Sequence, residues 1–291
     1  MATFDPKTLN FRNPAAPNLP LAPELYGRQY QDQFSNVLRL YFNQLDNAFA
    51  SLLSPDGGKY LKFPYGAFHQ DGTTTLSSSI TNVSTTPISV ASTTGFPASG
   101  WILIESELIQ YTGTTSTTFT GITRGVLGTT NVAHTAGVAV AEAQGTGSPT
   151  TIAVMQLNST DYSNTISISS TDATKIVFTD SGLYNLQFSV QLLNFTTTDD
   201  NVTLWLRKNG TDVSASAGIE QVNGKHGSAP GARIAAWNYV IDITANDYIQ
   251  IAWTSDSGNT VVATYPAGTS PVHPVSPALI LTATFVSRLP S

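Results

Sequence analysis

The period of the apolar positions changes once along this chain, near residue 54. Before it, Phe34, Leu38, Tyr41, Leu45, Ala48 and Leu52 recur at alternating spacings of four and three. That is an a/d seam, the spacing by which helices of separate chains bury apolar side chains against one another. Arg28, Asp32, Arg39, Asp46 and neutral Asn and Gln fall largely off the seam, as a solvated face requires. The pattern predicts one amphipathic helix over residues 24–53, ended by the breaker Ser54-Pro55-Asp56-Gly57-Gly58. Its seam can dock on the β-units of its own chain or join copies of the chain; self-association is the expectation carried forward.

After the breaker the period is two. Runs at 88–90, 101–104, 107–112 and 138–140, punctuated by Gly95-Phe96-Pro97, Gly113 and Gly121, read as a small β-unit of short strands. Gln144-Gly145-Thr146-Gly147-Ser148-Pro149 has the chemistry of a flexible linker. Beyond it, strands are expected at 152–157, 164–169, 174–178, 183–194, 201–208, 217–223, 233–243, 247–255, 259–264 and 277–287. Alternation such as Leu186, Phe188, Val190, Leu192 places one face of each in a core, which points to a two-sheet sandwich of jelly-roll type. The expected fold is therefore mainly β, with an N-terminal extended arm and short helix, a small β-module and a C-terminal jelly-roll sandwich. The corresponding partition is 1–70, 71–145 and 146–291.

The arm is marked by Pro14, Pro17, Pro20 and Pro23 among Asn10, Asn13 and Asn18, a density of proline that forbids helix and central strand. Phe4, Phe11 and Leu19 to Leu21 give it apolar side chains suited to anchoring on a larger assembly. Between helix and β-unit, Tyr60, Phe63, Tyr65, Phe68 and His69 form an aromatic cluster, expected to cap the base of a head or to pin the chain to a neighbour.

Composition narrows the function classes. Only 11% of the 291 residues are charged, against roughly 25% in an ordinary domain, so the polar surface is mostly Thr, Ser, Asn and Gln. A net charge of −6 offers no basic footprint for nucleic acid. No run approaches the roughly 18 apolar residues of a membrane span, so no membrane insertion is expected. The opening MATFDPKTLN has neither the basic start nor the apolar stretch of a signal peptide, and synthesis in a cytosol is expected. With zero cysteines, disulfides and thiolate metal sites are excluded.

The sequence carries no recognisable catalytic motif. No glycine-rich phosphate loop precedes a helix, and no Gly-x-Ser-x-Gly elbow is present. His69, His134, His226 and His273 are scattered without metal-ligand spacing, and Asp199-Asp200-Asn201 reads as a turn rather than a calcium loop. Arg124 is expected to pair with Glu105 or Glu107, and His134 to bond backbone from a loop. No catalytic residue, metal or cofactor is expected. What remains is recognition by loops, for which His226, Tyr265 and His273 are the candidate ligand-facing residues. Tyr265 and Trp237 serve either as stacking platforms for a sugar or as core and interface packing.

Two resemblances add to this reading. Gly182-Leu183-Tyr184-Asn185-Leu186, the run Val240 to Ile251 with its turn Ala245-Asn246-Asp247, and the closing strand Ala278 to Phe285 resemble the trimeric jelly rolls of tumour necrosis factor and complement-type heads. There, glycine is usual where this chain has Asn246. The resemblance implies a homotrimer with aromatic faces of three heads meeting on the axis. Separately, Ile104-Glu105-x-Glu107-x-Ile109-x-Tyr111-Thr112 followed by Thr123-Arg124-Gly125 and Gly128-Thr129 is similar to small β-modules of tailed-bacteriophage virion proteins. So is the order of proline arm, short helix and Phe63-Pro64-Tyr65-Gly66-Ala67-Phe68. This second resemblance implies a virion setting. The protein would be either a tail fibre that presents its head for host attachment or a capsid decoration protein, held to other virion proteins through residues 1–70.

Overall fold

The computed structural model describes residues 17–21, 25, 27–53 and 63–288, with the side chains of 50–53 outside that description. Most of the proline arm, the 54–58 breaker, Tyr60 to Lys62 and the side chain of Leu52 therefore lie outside the described residues. The chain divides into two compact units, residues 1–63 and 64–291.

In the first unit a single helix, α1, spans Arg28–Leu53. None of its described side chains is buried. Phe34, Leu38, Tyr41, Leu45 and Ala48 are half-buried, and Arg28, Asp32, Arg39 and Asp46 are exposed. Tyr30 and Phe34 stack one turn apart, with ring centroids 6.1 Å apart. Phe42 and Phe49 stand 60% and 54% exposed beside the seam. They occupy the heptad position following each d residue, so the apolar stripe is wider than a/d alone.

Among its described residues the second unit holds strands and no helix. In chain order its strands are β1 (Tyr65–Gln70), β2 (Thr73–Thr75), β3 (Ile88–Ser89), β4 (Gly100–Ile104), β5 (Glu107–Tyr111), β6 (Gly113–Thr114), β7 (Thr118–Thr120) and β8 (Ala139–Gly145). There follow β9 (Ala153–Val154), β10 (Ser159–Asn164), β11 (Ile166–Ile168), β12 (Ile176–Phe178), β13 (Gly182–Asn194), β14 (Asp200–Lys208), β15 (Thr211–Asp212) and β16 (Gly218–Val222). The last are β17 (Gly231–Ile243), β18 (Tyr248–Ser255), β19 (Thr260–Ala263), β20 (Gly268–Thr269), β21 (Val272–His273) and β22 (Leu279–Ser287).

The C-terminal strands make a two-sheet antiparallel sandwich. One sheet runs β10-β1-β22-β13, with β17 on the far side of β13; the other runs β11-β12-β18-β14, with β16 beside β14. The chain crosses between sheets from β12 to β13, from β13 to β14, from β16 to β17 and from β17 to β18, which is jelly-roll connectivity. Alternation fixes the register. Rows such as Ile241–Tyr184–Phe285 and Trp237–Phe188–Leu281 cross three strands on the inner face. They meet Phe178, Leu204, Ile251 and Trp253 of the opposite sheet in one core. Tyr184 is fully buried, packs edge-on to Phe178 at 4.8 Å, and donates its hydroxyl to the Asp180 carbonyl. Asn246, in the β17–β18 turn, sits at φ 71°, the left-handed region that glycine adopts more easily.

Two boundaries read from sequence shift. Residues 65–70, grouped there with the arm and helix, are a strand of the sandwich: β1 pairs with β10 and β22, and Phe68 is in the core. The 144–149 segment is no flexible linker. Gln144 and Gly145 end β8, which pairs with β4 and β2 of the middle unit and with β19 of the sandwich. The small β-unit and the sandwich therefore share a continuous sheet. Gly145 is glycine for a packing reason: a Cβ there would lie 2.5 Å from the Trp101 ring. Gly145→Ala is accordingly expected to destabilise the fold by about 1–3 kcal/mol through overpacking, read as a lowered urea midpoint.

Candidate interaction surfaces

The charged chemistry of the middle unit is sealed inside it. The β4–β5 hairpin turns through Glu105-Ser106, with Glu105 at φ 54°, and aims Glu107 into the interior. Arg124 grips that carboxylate with two bonds, Nε to Oε1 at 2.5 Å and Nη2 to Oε2 at 2.7 Å. Val132 N–H and Gly125 N–H donate to the same group at 3.1 and 3.2 Å. His134 Nε2 lies 2.9 Å from Glu107 Oε2, and its Nδ1 lies 2.7 Å from Glu105 Oε2. Burial pushes the Glu107 carboxyl up, but the Arg124 fork, the Val132 amide and His134 outweigh it and hold the group below the usual carboxylate range. The expected Arg124 pair thus forms with Glu107. His134 departs from expectation: its ring bonds carboxylates rather than backbone, and it is buried. With Glu107, Arg124 and His134 all shut off from solvent, the cluster binds loops together and offers no substrate access.

A second carboxylate, Asp200, is consumed in the same way. Its oxygens accept from the hydroxyls of Ser255 and Thr260 at 2.5 and 2.6 Å and from the amides of Ser257 and Thr260. Burial raises it, and those bonds lower it further than burial lifts it. The sequence reading of Asp199-Asp200-Asn201 as a turn is replaced by the start of β14, with Asp199 accepting from Gly224 N–H. Among the described residues no group of three or more His, Asp or Glu is placed to hold a metal ion.

The candidate ligand loops do not converge on one site. Tyr265 is half-buried against the small core of Trp101, Leu103 and Leu193, and burial raises its hydroxyl. Trp237 packs edge-on to Phe188 at 4.7 Å, so both aromatics act in packing. His226 is exposed in a tight bridge with Ala229, and Lys225 beside it donates to the Gly128 carbonyl of the middle unit. His273 is exposed on the β20–β21 hairpin and bonds the carbonyl of its neighbour Pro274.

Two larger surfaces were less visible in sequence. One is the unburied stripe of α1. The other is the outer face of the β22-β13-β17 sheet, where rows Val240–Asn185–Thr284, Asn238–Gln187–Thr282 and Ala236–Ser189–Ile280 stand in register. Val240 and Ile280 are 54% and 42% exposed there, with Ile234 and Val286 beside them. No charged side chain interrupts those rows. A neutral, partly aliphatic stretch of sheet face meets no electrostatic cost against a copy of itself. The signal for it in sequence was the low charge together with Ile and Val at the solvent-facing positions of β17 and β22. No protein-family model matches the chain, and no curated protein matches it.

Proposed function

We propose that this chain is a non-enzymatic structural protein that self-associates as a homotrimer and is displayed on a particle. The helix and arm serve as anchor, and the fused β-units are the projecting body. The observation that carries this reading is α1: a helix whose apolar stripe, Phe34 to Ala48 widened by Phe42 and Phe49, has no buried side chain. A stripe of a/d plus the adjoining position suits a bundle better than a two-stranded seam. The uncharged rows of the outer sheet face, from Val240 to Ala236, supply a second surface for the same association. The resemblance of the middle unit and of the arm–helix order to phage virion proteins makes a bacteriophage virion the particle of choice, with a tail fibre or adhesin that binds a host surface as the leading role. Capsid decoration is the second reading, favoured by the neutrality of those rows, which suits lateral coating.

Light scattering on the full chain tests the association. A mass three times the 30.9 kDa of one chain is expected. Leu38→Asp with Leu45→Asp should weaken association at least tenfold, about 1.4 kcal/mol or more. A single-chain mass at micromolar concentration would overturn the trimer. Immunogold labelling of particles with antibody to residues 150–291 separates the roles: label at one vertex supports the fibre, and label over the whole capsid supports decoration.

A further inference from the structure

Where the turn Gly95-Phe96-Pro97 of the middle unit faces β9 to β12 of the sandwich, a cleft of about 410 Å³ opens. This is toward the small end of ligand clefts, which run roughly 300–1,000 Å³. Asn158 braces its two sides, accepting from Asp71 N–H and donating to the Gly95 carbonyl, both at 3.2 Å. Phe96 is fixed by an edge contact with Phe119 at 5.1 Å.

The walls carry uncharged hydrogen-bonding side chains. Gln70 lines the cleft, is 1% exposed, and has one end of its amide against Glu142. The other end, Oε1, has no partner but is closed off from solvent behind the lining, so the side chains that reach the cleft are those of Gln156 and Thr160. Gln156 is half-buried and Thr160 exposed in the lining, so their side-chain amide and hydroxyl are open to a ligand. No residue of the lining is charged. The cleft thus pairs neutral amides and a hydroxyl with the rings of Phe96 and Pro97.

That chemistry selects its ligand. A phosphate, carboxylate or ammonium group would find no opposite charge to replace its hydration. A sugar ring has hydroxyls that both donate and accept, as amides do, and C–H faces that pack on apolar rings. We propose that this cleft binds a neutral sugar residue of an uncharged glycan. The proposal deepens the host-surface role above and rests on it for biological meaning, though the site lies within one chain and needs no trimer.

The test is saturation-transfer NMR on the full chain, with the methyl glycosides of glucose, galactose and N-acetylglucosamine as neutral probes and sialic acid as the charged one. Transfer to at least one neutral probe is expected, and none to sialic acid. Thr160→Trp, which fills the cleft from an exposed position, should weaken binding at least tenfold, and Gln156→Ala severalfold. Unfolding midpoints are measured alongside, and should Thr160→Trp fold poorly, Gln156→Ala carries the test. No transfer to any neutral probe, equal transfer to sialic acid, or transfer unchanged in both variants would each sink the proposal. Light scattering on the same samples keeps the two readings apart: a trimer that binds no sugar refutes only the cleft, and a single chain that binds sugar refutes only the trimer.

Discussion

Arg124→Ala is expected to cost about 3–5 kcal/mol, the loss seen when one member of a buried ion pair is removed and the other stays behind. Glu107 is fully buried and would keep its charge with only His134 and two amides as partners. Arg124 also donates to the carbonyls of Thr81 and Val132 at 2.9 and 2.6 Å, so its loss frees two loops as well as a carboxylate. Replacing both charges, as Arg124→Met with Glu107→Leu, should cost less than the single change, because no uncompensated charge remains. Urea unfolding of the three proteins measures the difference. Hydrogen exchange locates it, since the paired amides of Ile80 and His134 should lose protection first. An Arg124→Ala protein within 1 kcal/mol of wild type, or a double variant worse than the single, would contradict this account.

The same cluster sets an acid limb for stability. Glu107 and Asp200 are both held below their ordinary values, so each contributes stability that is present above the unfolded carboxylate range and is lost as pH falls through the folded value.

How much of this was legible in sequence depends on whether a strand has one neighbour or two. The β14 and β17 strands, and β13 as far as Leu192, alternate because each packs one face on a single core, and the bounds of these strands and of β18 fall within a few residues of those read from the pattern. β8 defeats the same reasoning. Val140, Ala141, Glu142 and Ala143 are all buried, because the strand lies between the core around Ile102 and Phe119 and the core around Trp101 and Leu193. With both faces covered, period two disappears, and the closing Gln-Gly reads as a linker. β1 was missed for a different reason. Its aromatic residues suggested a sticky cap, whereas alternate positions, Gly66, Phe68 and Gln70, face inward and leave Tyr65 outside. The helix seam was plain because its residues are spaced by the helix alone. The cleft at Gln70 was invisible, since its walls come from residues 70, 96, 156 and 160, which only the shared sheet brings together.

Glu142 sits at that junction and gives the steepest expected pH dependence. It is 1% exposed on β8, beside the Gln70 amide, with Gln144 Nε2 3.5 Å from its other oxygen. A Cβ on Gly72 would lie 2.6 Å from its carboxyl, so there is no room to hydrate a charge. Burial, aided by the Asp71 charge and only partly offset by Gln144, pushes the Glu142 carboxyl up to about 8 from 4.5. The unfolded chain ionises this group near 4.5 and the folded chain near 8. Stability from the neutral acid is therefore complete below pH 4.5 and is lost as pH rises toward 8, opposite in sign to Glu107 and Asp200. At about 1.4 kcal/mol per unit, the loss reaches up to about 5 kcal/mol, a large part of the 5–15 kcal/mol by which domains are stable. Glu142→Gln keeps the shape and removes the titration. Its stability relative to wild type, from urea unfolding between pH 5 and 8, should climb steadily with pH, a difference that cancels the histidines common to both proteins. A gap that stays flat across that range would mean Glu142 is ionised in the fold, and the junction would then have to hold its charge by contacts with Gln70 and Gln144 alone.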